Sequence, residues 1–282
     1  MSARRRRNKL SFNDLKRAAI VVSWVAMVAV VLFVLLRHLA VDELDDQRKR
    51  ASAEYVAELQ VVKLPDGLPD KRLAYRGFTV HFNPELHIPN CVVYELTASE
   101  TEGSVPRFGS FETDSAVAGC ANPWDYTLSG YDRGHMIPAG DLRWDSLAMR
   151  ESFKMTNVCP QTRALNSGGW TKIEDKIREW AVRDSVLIVV TGPVITRGMK
   201  TIGDSHVAVP TAFFKVVLAP FATPMRAIGF VMPNKAANGP LKKYVVSVDE
   251  VERRTGMDFF SALPDDIENG IESQLNLSVW TH

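Results

Sequence analysis

Tyr131-Asp132-Arg133-Gly134-His135-Met136-Ile137-Pro138-Ala139-Gly140-Asp141 is the stretch on which the reading of this chain turns. It sets an arginine and a histidine two residues apart around a glycine. In extended backbone, residues i and i+2 share one face, so Arg133 and His135 are expected to point the same way. Gly134 between them is expected to leave the backbone uncrowded. A cation beside a titratable base is the pairing that attack on a phosphate diester needs. The guanidinium holds the anion through paired hydrogen bonds, and an imidazole with a pKa near ~6.5 can take a proton from water. Alone the pair is a weak signal, because Arg-x-His arises by chance in many chains.

A second polar cluster follows: Asn157-Val158-Cys159-Pro160-Gln161, then Asn166, Gly168, Gly169, Trp170 and Glu174. Taken with Asp132-Arg133-Gly134-His135, it resembles the DNA/RNA non-specific endonuclease family. That family's signature is Asp-Arg-Gly-His, then Asn-x-x-Pro-Gln, an Asn, and a Glu eight residues after it; here these are Asn166 and Glu174. His206–Lys215 and Val231–Asn234 resemble the family's endonuclease G branch. The resemblance runs over residues 70–262.

The resemblance implies an α+β domain of the ββα-metal (His-Me finger) type with a mixed or antiparallel sheet. It implies a Mg²⁺-dependent endonuclease, Mn²⁺ being a substitute, that cuts DNA and RNA with little sequence preference and leaves 5′-phosphates. Homodimers are frequent in the family. His135 becomes the general base and Asn166 the metal ligand. Mg²⁺ keeps several waters and takes few protein oxygens, so an amide oxygen can anchor it without cancelling the charge that stabilises the leaving 3′ oxygen. Asn166 as a helix N-cap is the competing role. Glu174 would lie ~12 Å along the axis from Asn166 in a continuous helix. Gly168-Gly169 predicts a break, and Glu174 is expected to grip a metal-bound water; a solvent-facing charge is its plain alternative. Arg133 is expected on a phosphate, with a structural salt bridge as its alternative. Asp132, pointing away from that pair, is expected to be scaffold. Asn157 and Gln161 match family positions that line the site, and loop fixing explains them equally well. Arg107 is the candidate for an upstream arginine clamp, although its spacing does not align cleanly.

Composition sets the frame. Of 282 residues, 46% are hydrophobic and 24% charged, enough for one core with extensions. The net charge of +1 is unevenly placed: residues 1–17 hold seven basic groups against Asp14, a surplus of six, which leaves −5 on the rest. A broadly basic nucleic-acid coat is thereby excluded for the main domain, whereas local phosphate contacts are not. Ala18–Leu36 is an uncharged run long enough to read as a membrane-spanning helix. The basic cluster before it orients the N-terminus to the cytoplasm and the remainder outside, in the periplasm or, in a eukaryote, beyond a mitochondrial inner membrane. A cleaved signal peptide and a buried helix are the alternatives. The expected layout is a basic tail (1–17), an anchor (18–36), a charged stalk (37–69) and a catalytic domain (70–282).

Within the domain, strands are expected over Phe78–Phe82, Cys91–Leu96, Ser185–Val190, His206–Leu218 and Met225–Met232. Helices are expected near Ser146–Phe153 and over Trp170–Val182, where Ile173, Ile177, Trp180 and Ala181 recur at helical spacing. Asn157–Gly169 has a loop's composition. Ser247-Val248-Asp249-Glu250 reads as a capping box and Gly256 as a helix stop. Cys91, Cys120 and Cys159 form no framework or zinc pattern; a Cys91–Cys120 bridge and free thiols both fit. Two other functions share these motifs: a silent nucleic-acid-binding domain, and a phosphodiesterase for a different diester.

Overall fold

The computed structural model describes Met27 and residues 52–237, 239–275 and 277–280. The expected anchor Ala18–Leu36 lies outside the described residues except for Met27. No described helix is long and apolar enough to cross a membrane. The chain forms two units, Met1–Tyr55 and Val56–His282, and the sheet with its helices belongs to the second. That unit begins inside the stretch expected to be a stalk. Val56, Leu59 and Val62 are buried, and Lys63 exchanges backbone hydrogen bonds with Asp258. The spacing of Val56 and Leu59 is helical and both lie in a helix that ends at Leu59, but the charges before them disguised it.

The core is a seven-stranded sheet in which every pairing is antiparallel. Its order is β1 (Lys71–Tyr75), β2 (Phe78–Asn83), β3 (Ile88–Thr97), β6 (Val186–Pro193), β9 (Ala212–Ala219), β10 (Arg226–Pro233) and β11 (Val245–Val246). The expected single strand His206–Leu218 is broken. His206 has φ +53°, Val207–Ala208 (β8) pairs with Thr201–Ile202 (β7), and Pro210, which lacks an N–H, precedes β9. The central strands β6 and β9 are buried along nearly their whole length, so both faces must be covered. Alternation along β9 decides what goes where. Phe213 meets Trp170 at 5.7 Å between ring centroids, and its neighbour Phe214 meets Phe259 at 5.8 Å.

Strand β3 runs into a single-turn helix, α1 (Ala98–Thr101), which Thr97 and Glu100 close with a capping box. One face of the sheet carries the segment with the sequence signature. There β4 (Asp132–His135) pairs with β5 (Val158–Gln161). Between them lies α2 (Ser146–Glu151), whose N-cap Asp145 accepts from the Leu147 and Ala148 amides, and after β5 comes α3 (Thr171–Asp184). The other face carries α4 (Val248–Thr255) and α5 (Asp265–Glu272). Ser247 caps α4 through the Glu250 amide, and Gly256, at φ +71°, ends it in the left-handed conformation that suits glycine. The three cysteines are free; Cys91 and Cys159 are buried, so the Cys91–Cys120 bridge does not form.

Candidate active site

The β4–β5 pair sets Asp132 against Gln161, Arg133 against Pro160, Gly134 against Cys159 and His135 against Val158. The loop expected after Asn157 is instead strand β5, followed by a π turn over Leu165–Trp170 that runs directly into α3. Gly168-Gly169 does not break the helix. A Cβ on Gly169 would meet that of Ala237 at 2.6 Å, so glycine is required there by close packing. The π turn also changes the angular relation of the two signature residues. Over eight residues, an α-helix at 3.6 per turn leaves side chains about 80° apart. A π turn winds more slowly and brings Asn166 round toward the face of Glu174. Both line one cleft of about 490 Å³, with His135, Arg107, Gly140 and Arg178.

His135 is 8% exposed. Phe153 meets its ring edge-on at 4.8 Å and Phe111 lies at 5.1 Å. Its Nε2 is sealed without a partner among the described residues, which leaves Nδ1 as the nitrogen open to the cleft. Burial, and next the charge of Arg107, hold the ring's pKa down at about 3, so it is neutral at pH 7 and can accept a proton. The backbone on either side is pinned. Trp170 Nε1 donates to the His135 carbonyl at 3.3 Å, buried Lys215 Nζ donates to the Met136 carbonyl at 3.2 Å, and the Met136 amide donates to Asn157 O at 2.9 Å.

Asn166 is held by Asp132, whose Oδ2 accepts from Nδ2 at 3.1 Å. That bond makes Asp132, expected to be scaffold, the residue that orients the amide so that Oδ1 stays free. A free neutral oxygen and the Glu174 carboxylate in one polar cleft form the hard-oxygen donor set that Mg²⁺ takes, so these residues fit the ion. Were Asn166 to hold a divalent ion, replacing Asp132 with alanine would raise the metal concentration for half-maximal activity about 10–100-fold, the usual cost of losing a ligand's orienting partner. A magnesium titration of activity checks it.

Arg133 and Arg107 stand differently toward the cleft. Arg133 does share His135's side of the strand, since both rest on Phe111. Its Nε, however, donates to the Pro123 carbonyl at 3.1 Å, and the residue does not line the cleft. Arg107 does line it, stacked 4.9 Å from the centroid of Phe153. Asn157 is fully used as a loop clamp. It accepts from the Ile137 amide at 3.0 Å and donates to the Ile137 and Ser152 carbonyls at 3.0 and 2.8 Å, which leaves no group for substrate.

Gln161 is buried beside Gly134, not in the cleft. A Cβ on Gly134 would sit 2.2 Å from Gln161 Oε1, so the glycine is crowded, contrary to the expectation from sequence. Gly134→Ala should destabilise the fold by about 1–3 kcal/mol through overpacking. Adding Gln161→Ala should recover part of that loss, as read in urea unfolding curves of the single and double variants.

The structure adds residues that the sequence reading passed over. Asp141, 1% exposed, accepts from Arg178 Nη1 at 2.7 Å and from Tyr94 OH at 2.9 Å. Burial raises the pKa of Glu174, and Lys215 opposes that rise. Burial likewise lowers Lys215, against the pull of Glu174 and Asp141. Two sequence signals pointed here. Arg178 is four residues from Glu174 and so on its helix face, and Lys215 is a charge inside the apolar run Phe213–Leu218.

The DNA/RNA non-specific endonuclease family matches residues 56–266. The chain belongs to that family. It is similar to the mitochondrial nuclease EXOG of Mus musculus, 36% identical over 208 residues, covering 67% of this chain and 56% of that protein. It is also similar to mitochondrial nuclease 1 of Schizosaccharomyces pombe, 40% identical over 179 residues, 56% of this chain and 55% of that one. Human mitochondrial endonuclease G is 34% identical over 199 residues, 65% of this chain and 67% of that one. In the first two of these matches the chain spans little more than half the relative's length. Among solved structures, that of the EndoG/EndoGI complex superposes with a TM-score of 0.66 at 28% identity, over 69% of this chain and 87% of that one. The family's architecture is thus an α+β fold on an antiparallel sheet, with no parallel pair among the described strands.

Proposed function

We propose that the chain is a divalent-metal-dependent nuclease that hydrolyses phosphodiester bonds in DNA and RNA with little sequence preference. The observation that carries this reading is the convergence of His135, Asn166 and Glu174 on one cleft, with Asn166 turned so that its oxygen is free. His135 Nδ1 accepts the proton of the attacking water. Arg107, on the cleft wall, holds a phosphate oxygen of the substrate, and Glu174 orients water within the cleft. Asn166 Oδ1 would hold the divalent ion, which when bound supplies Lewis-acid stabilisation of charge on the phosphate and the leaving 3′ oxygen. Family membership supports nucleic acid as the substrate class.

Incubating the full chain with supercoiled plasmid and with a long RNA, with Mg²⁺ and then with EDTA, tests the reading. Cleavage of both that stops with EDTA is expected; a folded protein that cuts neither would overturn it. We propose further that Ala18–Leu36 tethers the enzyme to a membrane with residues 1–17 on the cytoplasmic side. The uncharged run and the basic cluster before it support this. Protease added outside intact cells or spheroplasts should then reach residues beyond 41 and spare those before 17.

A further inference from the structure

On the sheet face away from the cleft, α4 and α5 gather carboxylates. Asp249 and Glu252 are three apart on α4, hence on one side of it, and Glu272 is the last residue of α5. One oxygen from each lies within 4.8 Å of the others, the one such group of three among the described residues. Neighbouring acids on α4 behave differently. Glu250 is taken by Arg253 and Arg254 at 2.6 and 2.7 Å, whereas none of the three has an ion-pair partner among the described residues.

Glu272 is the independent observation. It is 4% exposed, its Oε1 has no hydrogen-bond partner among the described residues, and one of its carboxylate oxygens lies within 4.8 Å of the other two acids. A buried acid oxygen left unmatched costs free energy. Glu252 spends Oε1 on the Phe259 amide at 2.8 Å and retains its other oxygen.

We propose that Asp249, Glu252 and Glu272 form a binding site for a calcium-sized divalent cation that ties α4 to α5, separate from the cation of the cleft. Ca²⁺ takes carboxylate oxygens in flexible geometry, whereas Mg²⁺ is seldom bound by a dedicated all-protein cage, so a carboxylate trio drawn from two helices suits calcium better. Three carboxylates leave coordination positions for water, which suits an ion that takes six to eight oxygens.

The test is equilibrium dialysis with ⁴⁵Ca²⁺ and thermal unfolding, both on the full chain after EDTA stripping. The Asn166→Ala background keeps the candidate catalytic ligand out of the count, and its failure to cut nucleic acid is a separate readout. Expected are one calcium per chain and an unfolding temperature raised by several degrees at millimolar Ca²⁺. Glu272→Gln should lose both effects. Because Asp249 is exposed, Asp249→Asn keeps the fold and should weaken calcium binding at least tenfold. Equal calcium uptake with and without these changes would overturn the site. So would a chain that gains no thermal stability from Ca²⁺, in which case Glu272 is a buried protonated acid.

Discussion

Plasmid cleavage by His135→Ala is expected to be about 10²–10⁴-fold slower than by the unaltered chain, the usual contribution of a positioned general base. The loss should appear in the rate at saturating Mg²⁺ and not in the magnesium requirement, because His135 offers nothing to the metal in the proposed chemistry. Circular dichroism separates a chemical loss from an unfolded protein. The same ring has a thermodynamic signature. The free imidazole titrates near 6.5 and the folded one near 3. Between those values the unfolded chain holds a proton that the folded chain does not, so stability falls as pH drops from about 6.5 towards about 3. His135→Gln should remove that component. The difference between the two unfolding free energies, measured by urea titration across this range, isolates it from the acidic groups common to both proteins. A slope unchanged by the substitution would mean that the ring is not held neutral by its box of Phe111 and Phe153.

Arg178→Met is expected to cost about 3–5 kcal/mol in unfolding free energy, the range for stripping one partner from a buried ion pair. Asp141 is 1% exposed and would be left with the Tyr94 hydroxyl and the more distant charge of Lys215. Asp141→Asn in the same chain should return much of the loss, because the uncompensated charge then disappears; a double-mutant cycle measures the coupling. The pair bears on the cleft as well, since Arg178 lines it and Asp141 closes the Tyr131–Asp141 stretch. A cost under about 1 kcal/mol, typical of exposed pairs, would show that water reaches Asp141 when Arg178 is gone.

Elements with strong local periodicity were legible. Helix α3 was announced by Ile173, Ile177, Trp180 and Ala181, all of them buried, and α4 by Ser247 and Gly256. Strand β5 was not. Its four residues Val-Cys-Pro-Gln carry no alternation and extend only because β4 lies beside them. The π turn was equally hidden: Gly168-Gly169 reads as a break, and only packing of Gly169 against Ala237 shows why a helix tolerates it. Among candidate site residues, the signature names His135, Asn166 and Glu174, and the fold sets all three on one cleft. For Arg133, strand parity says which side the residue takes but not which carbonyl, here that of Pro123, captures its guanidinium.

The sequence by itself determined the family. The order and spacing of the signature residues carry the resemblance to the DNA/RNA non-specific endonucleases, and the match over residues 56–266 bears it out. Which groups are free to act was decided only by the tertiary structure. Asn157 is consumed by three backbone bonds, Asn166 keeps its oxygen because Asp132 takes its nitrogen, and Arg107 reaches the cleft that Arg133 misses. The physical reason is that a polar group's availability is what remains after its buried partners are satisfied, and those partners come from elements far apart in the chain.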